Sequence, residues 1–217
     1  KASKALVGLE KEFETDFYTK DVNKISVNDN IAVISIIGQD LTNFHKPYTA
    51  LIRNKITPIL LNNTVTGRNI SLVISQDEFK RALNVIHGEI FGVAKKINIA
   101  IFGHGTVGGT LISQILESAK NIEKRKGIKL NVFAIANSKK VLLNKFGISE
   151  NWKATLEDKG QDYKVVDIIA YAKEHHLENL IAIDNTASST FIENYISLAE
   201  NSFDLISSNK VANTVSF

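Results

Sequence analysis

Three glycines at G-x-G-x-x-G spacing, Gly103, Gly105 and Gly108, separate two stretches of different hydrophobic period. Upstream, Ile97, Ile99, Ile101 and Phe102 read as a short buried strand. Downstream, Val107, Leu111, Ile112, Ile115 and Leu116 recur at helical spacing. A glycine turn between strand and helix is the context in which this spacing holds a dinucleotide. Gly103 permits a tight turn, the bare Gly105 lets a pyrophosphate approach the backbone, and Gly108 lets the helix pack close to the strand. The free amides at the helix start, over Thr106 and Val107, then face the phosphates with the positive helix end. The competing reading is a glycine-rich turn with no ligand.

The composition narrows the class. Over 217 residues, 44% hydrophobic and 23% charged content is enough to bury a core, and the length lies between one domain and two large ones. The net charge of +3 is spread over scattered lysines with no polybasic, aromatic-interleaved face, which argues against a nucleic-acid partner. No apolar run approaches the ~18 residues of a membrane span, and the N-terminus is not signal-like. The absence of cysteine excludes disulfides and thiolate metal sites, so a cytoplasmic protein is expected. There is also no methionine, so a fragment, or a sequence lacking modified methionines, is expected. The chain stops at Phe217 in what reads as the start of a helix.

Ahead of the glycines, residues 2–13 place Leu6, Leu9 and Phe13 on one helical face, and residues 13–20 and 21–28 alternate weakly. Ile31–Ile37 is a strong strand closed by Gly38, followed by a short helix around Pro47–Asn54. Ile56–Leu61 and Ile70–Ile74 read as two more strands. Ser75 and Glu78 have capping-box spacing before a helix carrying Phe79, Leu83, Ile86 and Ile90. Strand, helix, strand, strand, helix is a split βαβ pattern lacking its last strand, and residues 21–27 or a partner chain are expected to fill that place.

After the glycines, the first helix is expected to run to Lys120 with a charged connection behind it. Lys129–Ile135 is the second strand, ending in Ala136, Asn137, Ser138, Lys139 and Lys140. NAD-specific sites carry an acid at this strand end for the ribose 2′-hydroxyl. Here Asn137, Ser138 and two lysines stand instead, which suits a 2′-phosphate and favours NADP, with NAD as the alternative. Residues 141–162 read as irregular, with Trp152 as a packing anchor, and His104 reads as solvent-facing. A helix from Val165 ends near His175 and His176, whose divergent directions make a shared metal improbable. Leu180–Ile183 is a third parallel strand followed by Asp184, Asn185 and Thr186. A helix over 190–199 and a strand Phe203–Ile206 lead to Ser207, Ser208, Asn209 and Lys210. Both polar clusters fall at the strands' carboxyl ends, where open α/β sheets bind ligands.

The segments GHGTVGG, AIANSKK, IDNTAS and SSNKVANT, in this order, resemble the N-terminal part of homoserine dehydrogenases. Residues 1–91 resemble the ACT regulatory region of aspartokinases, with 2–18 like the tail of a preceding ACT unit. Together they look like the bifunctional aspartokinase–homoserine dehydrogenase family. The resemblance implies an α/β chain with a ferredoxin-like βαββα ACT regulatory domain at 1–92 and a Rossmann-like NAD(P)-binding domain at 95–217. It implies interconversion of aspartate semialdehyde and homoserine, in threonine and methionine synthesis. Gly103–Gly108 would hold the pyrophosphate, Asn185 and Thr186 would lie on the nicotinamide side, and Asn209 and Lys210 would reach the reacting end. Lys210 is the expected catalytic residue, although Ser207-Ser208 replaces the family's usual Thr-Pro. Threonine is a candidate effector at Gln39–Asn43 and Asn62–Thr66, and a homo-oligomer is expected. Because the kinase and catalytic domains would flank this stretch, it is expected to bind cofactor without turnover. A non-enzymatic NAD(P) sensor is the main alternative, and an S-adenosylmethionine binder is a weaker one.

Overall fold

The structure is a computed structural model, and it describes residues 2–37, 45–63, 69–91, 94–211 and 214. Gly38, the Gln39–Asn43 segment, residues 64–66 and the end of the chain at Phe217 lie outside the described residues.

Two helices open the chain, α1 (Ala2–Glu12) and α2 (Glu14–Thr19), and neither has a buried residue. The weak alternation over 13–20 does not become a strand, because Glu14–Thr19 is helical. Residues 21–27 form no strand, so the expected pairing beside the next strand is absent among the described residues. The reason is local. Lys20 adopts a left-handed conformation (φ 63°), and the amides of Asp21 and Val22 turn back to Asp16 O instead of facing a sheet edge.

The first layered unit comprises β1 (Ile31–Ile37), α3 (His45–Arg53), β2 (Leu60–Asn63), β3 (Asn69–Ser75) and α4 (Phe79–Ile90). Its antiparallel sheet has the order β1-β3-β2, with Val33 opposite Val73 and Val73 opposite Leu60. Alternation sends Ile70, Leu72 and Ile74 of β3 into a core with Leu51 of α3 and Ala82 and Ile86 of α4. Strand β2 starts later than the hydrophobic run suggests. Pro58 has no amide to donate, and Ile56 is buried beneath α3 with its amide on Leu51 O. The capping box does not form, because residues 76–78 make a 3-10 turn and the Glu78 carboxylate pairs with Arg81 at 3.2 Å. The buried face of α4 is Ala82, Val85 and Ile86, whereas Leu83 points outward.

The second unit begins with β4 (Lys95–Phe102), α5 (Thr106–Lys126) and β5 (Ile128–Ala136). It continues through β6 (Lys140–Leu143), α6 (Trp152–Lys159), β7 (Gln161–Asp162) and α7 (Val165–Glu174). It ends with β8 (Leu180–Asp184), α8 (Tyr195–Glu200) and β9 (Phe203–Ser207). The sheet order is β7-β6-β5-β4-β8-β9, parallel across β5, β4, β8 and β9 and antiparallel at the β6–β7 edge. Its two faces carry separate cores, one around Phe102, Phe133 and Phe203 and the other around Ile101, Ile112 and Trp152.

Two differences from the sequence reading stand out. Helix α5 continues to Lys126, so the charged run 121–126 forms its solvated final turns, and Gly127 ends it at φ 62°. Lys124, Arg125 and Lys126 there complement the negative end of the helix. The stretch 141–162 holds β6, α6 and β7 instead of irregular chain. Asn137 makes this possible, because its side-chain carbonyl accepts the amides of Lys139 (2.8 Å) and Lys140 (2.7 Å) and so builds a hairpin turn. Trp152 is 3% exposed and anchors α6 as expected.

At the amino ends of the strands, buried asparagines replace apolar residues. Asn131 donates to Asn98 Oδ1 (2.7 Å), and Asn98 donates to Glu178 O (2.6 Å). Asn179 then meets Asn54 at the end of α3 in a reciprocal pair, its amide donating to Asn54 Oδ1 at 2.7 Å and Asn54 Nδ2 donating back at 3.3 Å. Each is paired as buried polar groups require, and the chain of contacts joins the two units.

A cleft at the carboxyl ends of the parallel strands

The chain leaves β4 toward β5 on one side and returns to β8 on the other, which opens a crevice at the carboxyl ends of β4 and β8. Hydrogen bonds run past the strand ends, from Gly103 N to Ala136 O, Asn185 N to Phe102 O, and Ser208 N to Asp184 O. The three post-strand turns are thereby held in register. Between them lies a cleft of about 900 Å³, walled by Gly103, Gly105, Asn137, Ser138, Asn185 and Thr186, among others.

The three glycines differ in what a side chain would meet. Gly103 has φ +83°, and a Cβ there would press on the Asn185 backbone at 2.8 Å. A Cβ on Gly108 would collide with the Gly103 carbonyl oxygen, so only glycine lets α5 start this close to β4. At Gly105 a Cβ would meet nothing within 4 Å, and the space it would fill belongs to the cleft. Thr106 and Val107 are exposed at the first turn of α5, where backbone amides lack intrahelical partners.

Asn185 links the glycine turn to the β9 turn. Its Oδ1 accepts from Ser208 Oγ at 2.9 Å, while its Nδ2 is buried without a partner. The His104 ring is not solvent-facing, which corrects the sequence reading. It packs edge-on against Trp152 at 5.3 Å between centroids, and its Nε2 is also buried and unpartnered. Unsatisfied buried groups are costly, so a cleft that holds two beside an open glycine fits a polar ligand.

Asp184, at the end of β8, is 2% exposed and organises the turns after β8 and β9. Its carboxylate accepts from Thr186 N (2.8 Å), Tyr195 OH (2.7 Å) and Asn209 Nδ2 (3.2 Å). Burial is the main reason the Tyr195 phenol lies above its usual range, and the Asp184 charge adds to it. Asn209 is itself 8% exposed and also donates to Ser188 O at 2.8 Å, so its carboxamide ties loops together. Lys210 beside it is exposed, outside the residues that wall the cleft.

On the opposite side, Tyr163 donates to Asn137 O at 2.8 Å, and burial raises its phenol pKa. Ser138 and Lys139 are exposed there, whereas Lys140 is drawn to Glu157 O at 3.0 Å and away from the turn. Sequence reading had singled out neither Tyr163 nor Tyr195. Only their positions beside the polar strand ends could have pointed to them.

Fold and cleft define a dinucleotide-binding α/β domain. The chain belongs to the homoserine dehydrogenase NAD-binding domain family, whose profile matches residues 103–216. It is 31% identical to the bifunctional aspartokinase/homoserine dehydrogenase of Buchnera aphidicola over 97% of this chain and 26% of that protein. The Haemophilus influenzae enzyme of the same name is 28% identical over 95% of this chain and 26% of that protein. The crystal structure of Thermoplasma acidophilum homoserine dehydrogenase aligns over 54% of this chain and 36% of that chain, with TM-score 0.43 and 16% identity. The chain thus spans about a quarter of the length of the curated relatives it matches. Among the described residues, no helix is long and apolar enough to cross a membrane.

Proposed function

We propose that this chain is the ACT-type regulatory and NAD(P)-binding portion of a bifunctional aspartokinase–homoserine dehydrogenase. Its whole-protein reaction is the reversible hydride transfer between a nicotinamide and aspartate semialdehyde, giving homoserine. The observation that carries this reading is the glycine turn, closed to side chains at Gly103 and Gly108 and open at Gly105, beside the unpartnered Asn185 Nδ2. The relatives' names favour the enzymatic reading over a non-enzymatic nucleotide sensor.

The backbone amides from Gly105 to Gly108 hold the pyrophosphate. Ser138 and Lys139, on the turn built by Asn137, meet the ribose 2′-phosphate of NADP, with NAD as the second cofactor. Asn185 and Thr186 face the nicotinamide, with Asn209 fixing their loop. The bound nicotinamide supplies the hydride. Lys210 supplies an ammonium that holds developing negative charge on the substrate oxygen or passes it a proton. Residues 1–92 form the regulatory unit. Its βαββα order and β1-β3-β2 sheet support a ferredoxin-like ACT assignment, with threonine as candidate effector and assembly into a homo-oligomer.

Fluorescence titration of the chain with NADPH and NADH tests the binding half. Saturable binding of either is expected, and binding of neither refutes it. In the intact enzyme, Lys210→Ala is expected to abolish turnover while sparing cofactor affinity. Unchanged turnover would remove the role assigned to Lys210.

A further inference from the structure

A second cleft, of about 360 Å³, lies between the two units, at the end of the sheet opposite the dinucleotide cleft. Its walls come from α3 and α4 on one side and from β4, β5 and the turn before β8 on the other. The lining includes four cations, Arg53, Lys95, Lys96 and Lys129, and two acids, Glu89 and Glu178. Asn54 and Asn179, locked to each other, also line it.

These opposite charges share one small space without closing on each other. Among the described residues the one ion pair is Arg81–Glu78, so no cation within 4.0 Å neutralises Glu178 or Glu89. Among the described residues the Lys96 ammonium reaches only the Lys145 carbonyl, at 3.4 Å. Burial pushes the Glu178 carboxyl up and the Lys96 ammonium down, so both half-buried charges are under-compensated.

We propose that this interdomain cleft binds a dicarboxylic α-amino acid, of the size of L-aspartate or L-glutamate. The ammonium would sit against Glu178 and the two carboxylates among Lys96, Lys129 and Arg53. Four cations against two acids leave the walls two positive charges in excess. That favours a ligand with two carboxylates and one ammonium over a neutral amino acid, whose charges cancel. The site is separate from the dinucleotide cleft and does not depend on the function proposed for it.

Isothermal titration of the full chain with L-aspartate and L-glutamate tests the site, with succinate, N-acetyl-L-aspartate and L-threonine as comparisons. Saturable binding of at least one dicarboxylic amino acid is expected. N-acetylation, Glu178→Gln and Lys96→Gln are each expected to weaken it by roughly 10- to 100-fold, the worth of one lost charged hydrogen bond. NADPH affinity is expected to stay unchanged in both variants. Amide NMR shifts at Asn54, Lys96 and Asn179 during titration of the unmodified chain provide a readout that needs no substitution. Three results would overturn the proposal. One is no binding of either amino acid up to about 10 mM, the range of ~3 kcal/mol affinities. Another is succinate or L-threonine binding as well as the amino acid. The third is binding that leaves those three amides unmoved.

Discussion

Asp184 and Asn209, 25 residues apart in sequence, meet at 3.2 Å with both side chains less than a tenth exposed. The Asn209 carboxamide donates to a carboxylate that Tyr195 also serves at 2.7 Å, so one buried anion clamps the turns after β8 and β9. Asp184→Asn places an amide where donors converge and is expected to cost about 2–4 kcal/mol, with Tyr195→Phe costing about 1 kcal/mol. Urea midpoints at constant m-value measure both. A midpoint unchanged in Asp184→Asn would contradict the clamp.

Gly105 and Gly108 separate binding from folding. At Gly105 a methyl enters open space at φ −63°, so Gly105→Ala is expected to leave stability within about 0.5 kcal/mol. On the proposed pyrophosphate site the same methyl is an obstruction, and Gly105→Ala is expected to lower NADPH affinity at least roughly 10-fold, the worth of one charge-assisted hydrogen bond. Gly108→Ala drives a methyl into the Gly103 carbonyl and is expected to cost about 1–3 kcal/mol of stability as well. Thermal melts beside fluorescence titrations separate the two effects.

On the proposed function, the turn after β5 is the place where cofactor choice is made. Lys139 is exposed with its amide on Asn137 Oδ1, leaving its ammonium available, whereas Lys140 is drawn to Glu157 O. Lys139→Ala is expected to weaken NADPH about 10-fold or more and to leave NADH unchanged. Competitive titration of both nucleotides decides it. Equal losses for the two would assign Lys139 no part in the choice.

Glu178 makes stability depend on pH. Its folded-state pKa lies above the ordinary 4.5, chiefly through burial, while Lys96 and Arg81 pull it down. The folded state therefore holds the proton more tightly than the unfolded chain does. Stability is expected to fall as pH rises from about 4.5 through the folded value. Glu178→Gln is expected to remove that fall, matching the parent protein below pH 4.5 and exceeding it at neutral pH. Urea melts at pH 4 and pH 7 test the sign.

What the sequence disclosed followed from local pattern. The glycine spacing and the mostly apolar runs at 97–102, 129–135 and 180–183 located β4, β5 and β8, because strands covered on both faces are apolar on both, and the interrupting Asn98 and Asn131 did not hide them. The polar residues after each run marked the cleft's floor for the same reason. The β6–β7 edge stayed hidden, because Val141, Leu142 and Leu143 are too few to show a period and the turn depends on the Asn137 side chain. The extent of α5 was obscured by its charged tail, a solvated face that reads like a loop. Asp184 was read only as one member of a polar cluster. That it anchors Tyr195 and Asn209 is a tertiary fact, invisible to spacing.

The clasp between Asn54 and Asn179 stands at the foot of β8, and Asn185 stands at its head. The strand's five residues span roughly 16 Å at the usual strand rise, braced by β4 on one flank and β9 on the other. One five-residue strand thus has its first end tied to α3 and its last end built into the wall of the glycine-turn cleft.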